Sequence, residues 1–265
     1  AALLPEVTAL KGITQSLPHA HDVFEHTLRA VDELENIQAR GYAEAANGEF
    51  VAELQSHFAT KISADRERGA LLRIAMLLHD VGKAGTRSVD AEGTVHFYEH
   101  EPLSSQMSDE ILRRLRFSNA EIDIVVRTVQ CHLRPAQWAR DEQVSNRAAY
   151  RFFRDTGDAG IDTCVLALAD WRGKSAPQID LQRDAQQRAA NAMLLDRYFR
   201  APDQVIAPPA LVDEAAQHYE EAVRLMLVLT VEEPRLIPEA AGDLDAAAHG
   251  ASREAIANGT AAGCD

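Results

Sequence analysis

The dipeptide His79-Asp80 closes the apolar run in LLRIAMLLHDVGK and is followed by Gly82-Lys83, so an imidazole and a carboxylate leave a buried segment together. An unpaired carboxylate in apolar surroundings is costly or changes its protonation, whereas a divalent cation turns it into a favourable ligand. Four further segments each offer a metal-capable side chain at the end or edge of an apolar stretch: His26, His100, His132 and Asp170. Imidazole and carboxylate without thiolate suit Mn, Fe, Co, Ni, Zn or Mg, with geometry choosing among them. The separations in sequence are large, so helices must carry these side chains to one cavity.

Other roles compete at each position. A lone histidine on an apolar face is more often a core residue with satisfied nitrogens, but five segments with the same property together favour a metal. Asp80 could pair with Lys83, and Asp170 with Arg172 or Lys174. Lys83 and Arg87 fit either solvated cations beyond a helix C-terminus or phosphate contacts. His19, His57, His96, His218 and His249 are assigned packing or surface roles, His21-Asp22 a helix-cap region, and Trp138 and Trp171 packing. The GDLD at 242–245 lacks a strand that would hold a carboxylate pair.

Helical periodicity dominates the elements that must position these residues. Helices are expected over about 20–40 (Phe24, Leu28, Val31 and Leu34 on one face), 48–62 and 66–79, the last apolar nearly all round. Alternation around Asp90-Ala91-Glu92-Gly93 predicts a β-hairpin that leads into His100. Leu103, Met107, Ile111 and Leu115 continue a helical stripe from His100, and Ser118 with Glu121 predicts a capping box. The next stripe, Ile122, Val125 and Val129, reaches His132 before Pro135 stops it. Ser145 and Gly157 bracket another helix, IDTCVLALADWRGK is apolar on every side, and amphipathic helices are expected over about 180–199 and 209–230. The division expected is a core at 1–174, C-terminal helices at 175–237 packing on it, and a tail at 238–265.

The 265 residues, 46% of them apolar, can bury one sizeable core. A net charge of −14 and a pI near 5.1 repel a polyanion. Nucleic acid could meet a local patch, but the balance favours a small phosphorylated substrate. Cys131, Cys164 and Cys264 form no CxxC pair, so a reducing cytoplasm is expected. No apolar run approaches the roughly 20 residues of a membrane span, and no signal-peptide pattern opens the chain. Ala1 in place of an initiating Met fits a processed chain or part of a longer one.

The ordered set His26, His79-Asp80 and Asp170 resembles the HD superfamily of metal-dependent phosphohydrolases. DVFEHTLRAVDELE, LLHDVGKAGTRSVDAEGTVHFYEHE and LALADWRGK are similar to the HD domain that follows the catalytic head in bacterial tRNA nucleotidyltransferases and poly(A) polymerases, over residues 17–174. The resemblance implies an all-α HD-domain helical bundle with a small β-hairpin near 86–97, and one divalent ion on His26, His79, Asp80 and Asp170. His100 and His132 match the extra histidines of a two-metal subgroup, which implies a second ion with Asp80 bridging. Glu99 departs from the pattern, standing where those tRNA enzymes usually have Gly. The function implied is hydrolysis of a phosphomonoester or phosphodiester in a nucleotide or small phosphorylated metabolite. From their positions beside these ligands, and not from the resemblance, Asp80, Lys83 and Arg87 are expected to be catalytic, with Lys83, Arg87 and Arg134 neutralising phosphate oxygens. The alternative is an accessory or RNA-binding module without hydrolysis. An upstream head would favour it; the lack of a basic cluster between Pro208 and Asp265 weighs against it.

Overall fold

The computed structural model describes residues 3–16, 19–63, 66–139, 144–174 and 180–201, which belong to one compact unit, Ala1–Pro208. A single turn, α1 (Pro5–Thr8), precedes α2 (Val23–Ala39), and a 3-10 turn (Ala43–Ala46) leads to α3 (Val51–Ala59) and α4 (Arg68–Leu78). The short α5 (Lys83–Thr86) opens into the strands β1 (Arg87–Val89) and β2 (Val95–Phe97). There follow α6 (His100–Arg114), α7 (Asn119–Gln130), α8 (Arg134–Trp138), α9 (Asn146–Thr156), α10 (Ala159–Lys174) and α11 (Leu181–Arg200). The fold is all-α with one two-stranded antiparallel hairpin, as the sequence predicts.

Local chemistry sets where these helices start. Asp22 caps α2, its Oδ1 accepting from Glu25 N at 2.8 Å while its Oδ2 accepts from Gly12 N at 2.8 Å. The expected capping box is present, with Ser118 and Glu121 satisfying each other's backbone N–H groups at the start of α7. Ser145 and Asp180 cap α9 and α11 one way only, Ser145 Oγ accepting from Ala148 N and Asp180 Oδ1 from Gln182 N and Arg183 N. In the hairpin Arg87 pairs with Phe97, Ser88 with His96 and Val89 with Val95, while Asp90 Oδ1 accepts from Glu92 N and Thr94 N to close the turn.

Two details differ from expectation. Pro135 does not itself stop the helix that precedes it: α7 ends at Gln130, and Pro135 sits in the first turn of α8, where a missing N–H is no loss. Glu99, the N-cap of α6, adopts φ 60°, the left-handed region in which glycine is at ease. The helix expected over 209–230 and the tail at 238–265 lie outside the described residues.

The core is organised around α10, whose described side chains are buried from Ala159 to Asp170. Its most extensive contact is with α2. A Cβ on Gly173 would lie 2.8 Å from Ala30, so glycine is what lets the two helices touch at the end that carries Asp170. From α4, Leu71, Leu72, Met76 and Leu78 are fully buried, each contributing roughly 1.5–3 kcal/mol of hydrophobic stabilisation. Against the other side of α10, α11 buries Ala190, Leu194 and Leu195, and Asn191 Nδ2 donates to Cys164 O at 2.8 Å. Arg172 ties the two helices through Asp184 at 2.7 Å and also pairs with Glu44.

Candidate metal centre

Six side chains from five elements meet at one end of this core. His26 comes from the buried face of α2, and His79-Asp80 from the C-terminal end of α4. His100 is the first residue of α6, His132 lies in the turn after α7, and Asp170 occupies the last turn of α10. All six are at most 7% exposed. Gly82 makes the approach of α6 possible, since a Cβ there would sit 2.7 Å from His100 O and Ser104 N. Ser104 Oγ accepts from Gly82 N at 2.9 Å and fixes that approach.

Asp80 faces both ways. Its Oδ2 lies 3.1 Å from His79 Nε2 and 3.5 Å from His26 Nε2, while its Oδ1 lies 3.3 Å from His100 Nε2 and 3.9 Å from His132 Nε2. Asp170 Oδ1 is 3.1 Å from His26 Nε2 and 3.5 Å from His79 Nε2. These approaches are close, yet they lack hydrogen-bond alignment. Both nitrogens of His26, the Nε2 atoms of His79 and His100, Asp80 Oδ1 and Asp170 Oδ1 are buried without a hydrogen-bond partner, and Asp80 Oδ2, also outside hydrogen-bond alignment, has the Lys83 ammonium 2.8 Å away as an ion pair. Buried polar atoms normally have partners, and so many orphans converging on one point fit a cation.

Backbone contacts orient the rings for that role. The Nδ1 atoms of His79, His100 and His132 lie 2.7, 2.8 and 2.7 Å from Met76 O, Phe97 O and Val129 O. A proton shared with the carbonyl resides on Nδ1, which leaves the Nε2 lone pair facing inward, the arrangement that prepares a histidine for metal. Among the described residues, His26, His79 and Asp170 form one potential ligand triad, and His79, Asp80 and His132 another. Donor type and burial therefore fit a divalent ion.

The electrostatics agree. Burial opposes charge on Asp80, but His79 and Lys83 outweigh it and hold the carboxyl well below the usual range; Lys174 does the same for Asp170, helped by His26 and His79. Burial likewise opposes charge on His79, yet Asp80 and Asp170 raise its pKa to about 9. Burial, with the charges of His79 and His100, pushes His132 down to about 3. Both carboxylate pairings left open by the sequence occur: Lys83 Nζ is 2.8 Å from Asp80 Oδ2 and Lys174 Nζ 2.5 Å from Asp170 Oδ2. Arg172 instead goes to Glu44 and Asp184.

A cavity of about 290 Å³ opens onto the cluster, with Gln15, His19, Lys83, Phe97, Leu133 and Lys174 among its walls. Lys83 is buried, donates from Nζ to Gln15 Oε1 at 2.8 Å and lies 5.3 Å from the Phe97 ring centre. Arg87 is exposed on β1, and Arg134 pairs with Asp155 at 3.0 Å against the rings of Trp138 and Phe152; neither lines the cavity. His57 bonds the buried Asp162 and His96 bonds Asp90, away from the cluster, although His96 also borders the cavity. Sequence reasoning gave His19 a packing or surface role and Lys174 only that of a possible ion-pair partner of Asp170, and placed neither at the cavity. The His19 ring packs edge-on 5.2 Å from His26, and burial together with Lys83 and Lys174 lowers its pKa to about 3. The only available signal was the closeness of each to a ligand, His19 before His26 and Lys174 one turn after Asp170.

A helical fold closing over a histidine–aspartate cluster defines a class, and the HD domain matches residues 23–172, more than half of the chain. The chain belongs to the HD-domain family, which is associated with metal-dependent phosphohydrolases. Among its relatives, the A-adding tRNA nucleotidyltransferase of Deinococcus radiodurans is 27% identical over 214 residues, 79% of this chain and 40% of that protein. The bifunctional uridylyltransferase/uridylyl-removing enzyme of Rhodopseudomonas palustris is 27% identical over 158 residues, 58% of this chain and 15% of that protein. Its counterpart in Ruegeria pomeroyi is 26% identical over 178 residues, 65% of this chain and 17% of that protein. The chain thus spans less than half the length of these relatives. Among the described residues, no helix is long and apolar enough to cross a membrane.

Proposed function

We propose that this chain is a divalent-metal-dependent phosphohydrolase that cleaves a phosphate ester of a nucleotide or small phosphorylated metabolite in the cytoplasm. The observation that carries this reading is the set of orphaned, buried ligand atoms converging beside a cavity that also holds two ammonium groups. His26, His79, Asp80 and Asp170 would hold one ion; His100, His132 and the second oxygen of Asp80 would hold another. A bound divalent ion supplies Lewis acidity, polarising a phosphoryl oxygen and making water more acidic. The protein's own part is to bind and orient. Lys83, fixed by Gln15 and Phe97, meets the negative charge that builds on phosphate oxygens, while Val95, Phe97 and Leu133 form apolar parts of the cavity wall. The positions of Arg87 and Arg134 give no support to their expected phosphate roles.

The test is metal analysis of protein prepared without chelator, followed by a screen of p-nitrophenyl phosphate esters, cyclic nucleotides and nucleoside mono- to triphosphates with Mn, Ni, Co or Mg. Hydrolysis that disappears in a folded Asp80→Ala variant is the expected result. A second reading, an RNA-binding accessory module without hydrolysis, draws on the likeness to the Deinococcus protein. Tight tRNA binding at physiological salt with no turnover of any ester would favour it, although the complete ligand set gives that reading nothing to explain it.

A further inference from the structure

Lys83 and Lys174 each hold one of the two cluster carboxylates, at 2.8 and 2.5 Å. Among the described residues lining the cavity, Asp80 and Asp170 are the only carboxylates and these two lysines the only lysine or arginine side chains. Among these four side chains two negative charges and two positive ones cancel, and imidazoles that ligate an ion are neutral. A divalent ion on the carboxylates leaves two positive charges over, in a place where the lysine side chains are only 7% and 14% exposed. Uncompensated buried charge is strongly unfavourable, so the loaded site requires an anion. A phosphomonoester dianion restores balance, whereas a diester monoanion leaves one charge unmatched. A second ion would enlarge the surplus and favour the dianion further. His19 Nδ1, buried and without a partner, adds a polar atom at the same cavity. The volume of about 290 Å³ suits a phosphate with a small organic group.

From these contacts we infer that Lys174 acts with Lys83 as an ammonium clamp for the terminal phosphate of a phosphomonoester. Lys174 is the residue this adds, and the substrate class is the consequence. The inference rests on the phosphohydrolase reading, because a cation must first occupy the carboxylates.

Calorimetric titration of the manganese-loaded full chain with methylphosphonate, at a pH where it is a dianion, and with its monomethyl ester tests the clamp without hydrolysis. The dianion is expected to bind at least about tenfold more tightly than the ester. Lys174→Met should weaken dianion binding by about tenfold and erase the preference, leaving manganese affinity unchanged or higher, while Lys174→Arg retains most of it. Equal affinity for the two probes, or a folded Lys174→Met that binds the dianion like the parent, overturns the clamp. If the Met variant does not fold, the two-probe comparison on the parent protein decides. Absence of manganese binding would remove the phosphohydrolase reading and the clamp together; manganese binding without discrimination would remove the clamp alone.

Discussion

Asp80 is the residue on which the site turns, because its two oxygens face different histidine pairs and, among the described residues, Lys83 is the lysine or arginine paired with it. Glu99 shows how a departure from a family pattern acquires a physical meaning. The resemblance implies Gly at this position, and the φ of 60° at Glu99 is one where an L-residue is strained and glycine is not. Glu99→Gly is expected to stabilise the protein by roughly 0.5–1 kcal/mol in chemical denaturation, with metal binding retained; a destabilised variant would contradict the strain. The six ligands were legible because residue type, chain order and apolar flanks coincide at each. For Lys174 only the pairing with Asp170 was legible, and for His19 nothing, because a sequence does not say that a lysine one turn past an aspartate, or a histidine in a loop, also faces the cavity. Arg134 illustrates the reverse, a cation beside a ligand that packs on Trp138 and Phe152 instead.

At the scale of elements, α7 depends on its N-terminus more than on its propensity. The Glu121 side chain is fully buried and accepts from Ser63 Oγ at 2.8 Å, Arg66 Nε at 2.6 Å and Ser118 N at 2.7 Å. Burial opposes its charge, but the Arg66 and Ser118 bonds outweigh it and lower the pKa from 4.5 to about 2. A depressed carboxyl stabilises the fold fully above its unfolded value and loses that contribution as pH falls through 4 toward 2. Acid unfolding of Glu121→Gln should therefore show a flatter dependence below pH 5, and the variant should lose on the order of 2 kcal/mol at neutral pH; an unchanged acid profile would argue against the network. The long helices and the hairpin were readable from period and turn chemistry, with ends up to three residues inside those expected for α2, α3 and α4. The single-turn elements α1, α5 and α8 were not, because four or five residues carry no periodic stripe.

For the whole molecule, convergence is what sequence could not display: ligands separated by up to 144 positions, from His26 to Asp170, meet because α2 and α10 pack face to face. The core also extends past Lys174. α11 buries Leu194 and Leu195 and supplies Asp184 to Arg172, and losing even one such leucine typically costs about 2–5 kcal/mol. A chain ended at Lys174 is thus expected to lose cooperative unfolding, as seen by circular dichroism, whereas one ended at Ala201 should keep it; equal cooperativity would show α11 to be dispensable. Bound metal should in turn stabilise the fold, by about 2.7 kcal/mol at a hundredfold excess over its dissociation constant. The most direct measurement is anomalous scattering from crystals of the full chain equilibrated with saturating manganese. At least one ion is expected among His26, His79, Asp80 and Asp170, absent from an Asp80→Ala crystal treated alike. A pocket that stays empty, with the four side chains in the same positions, would contradict the metal centre and with it the proposed chemistry.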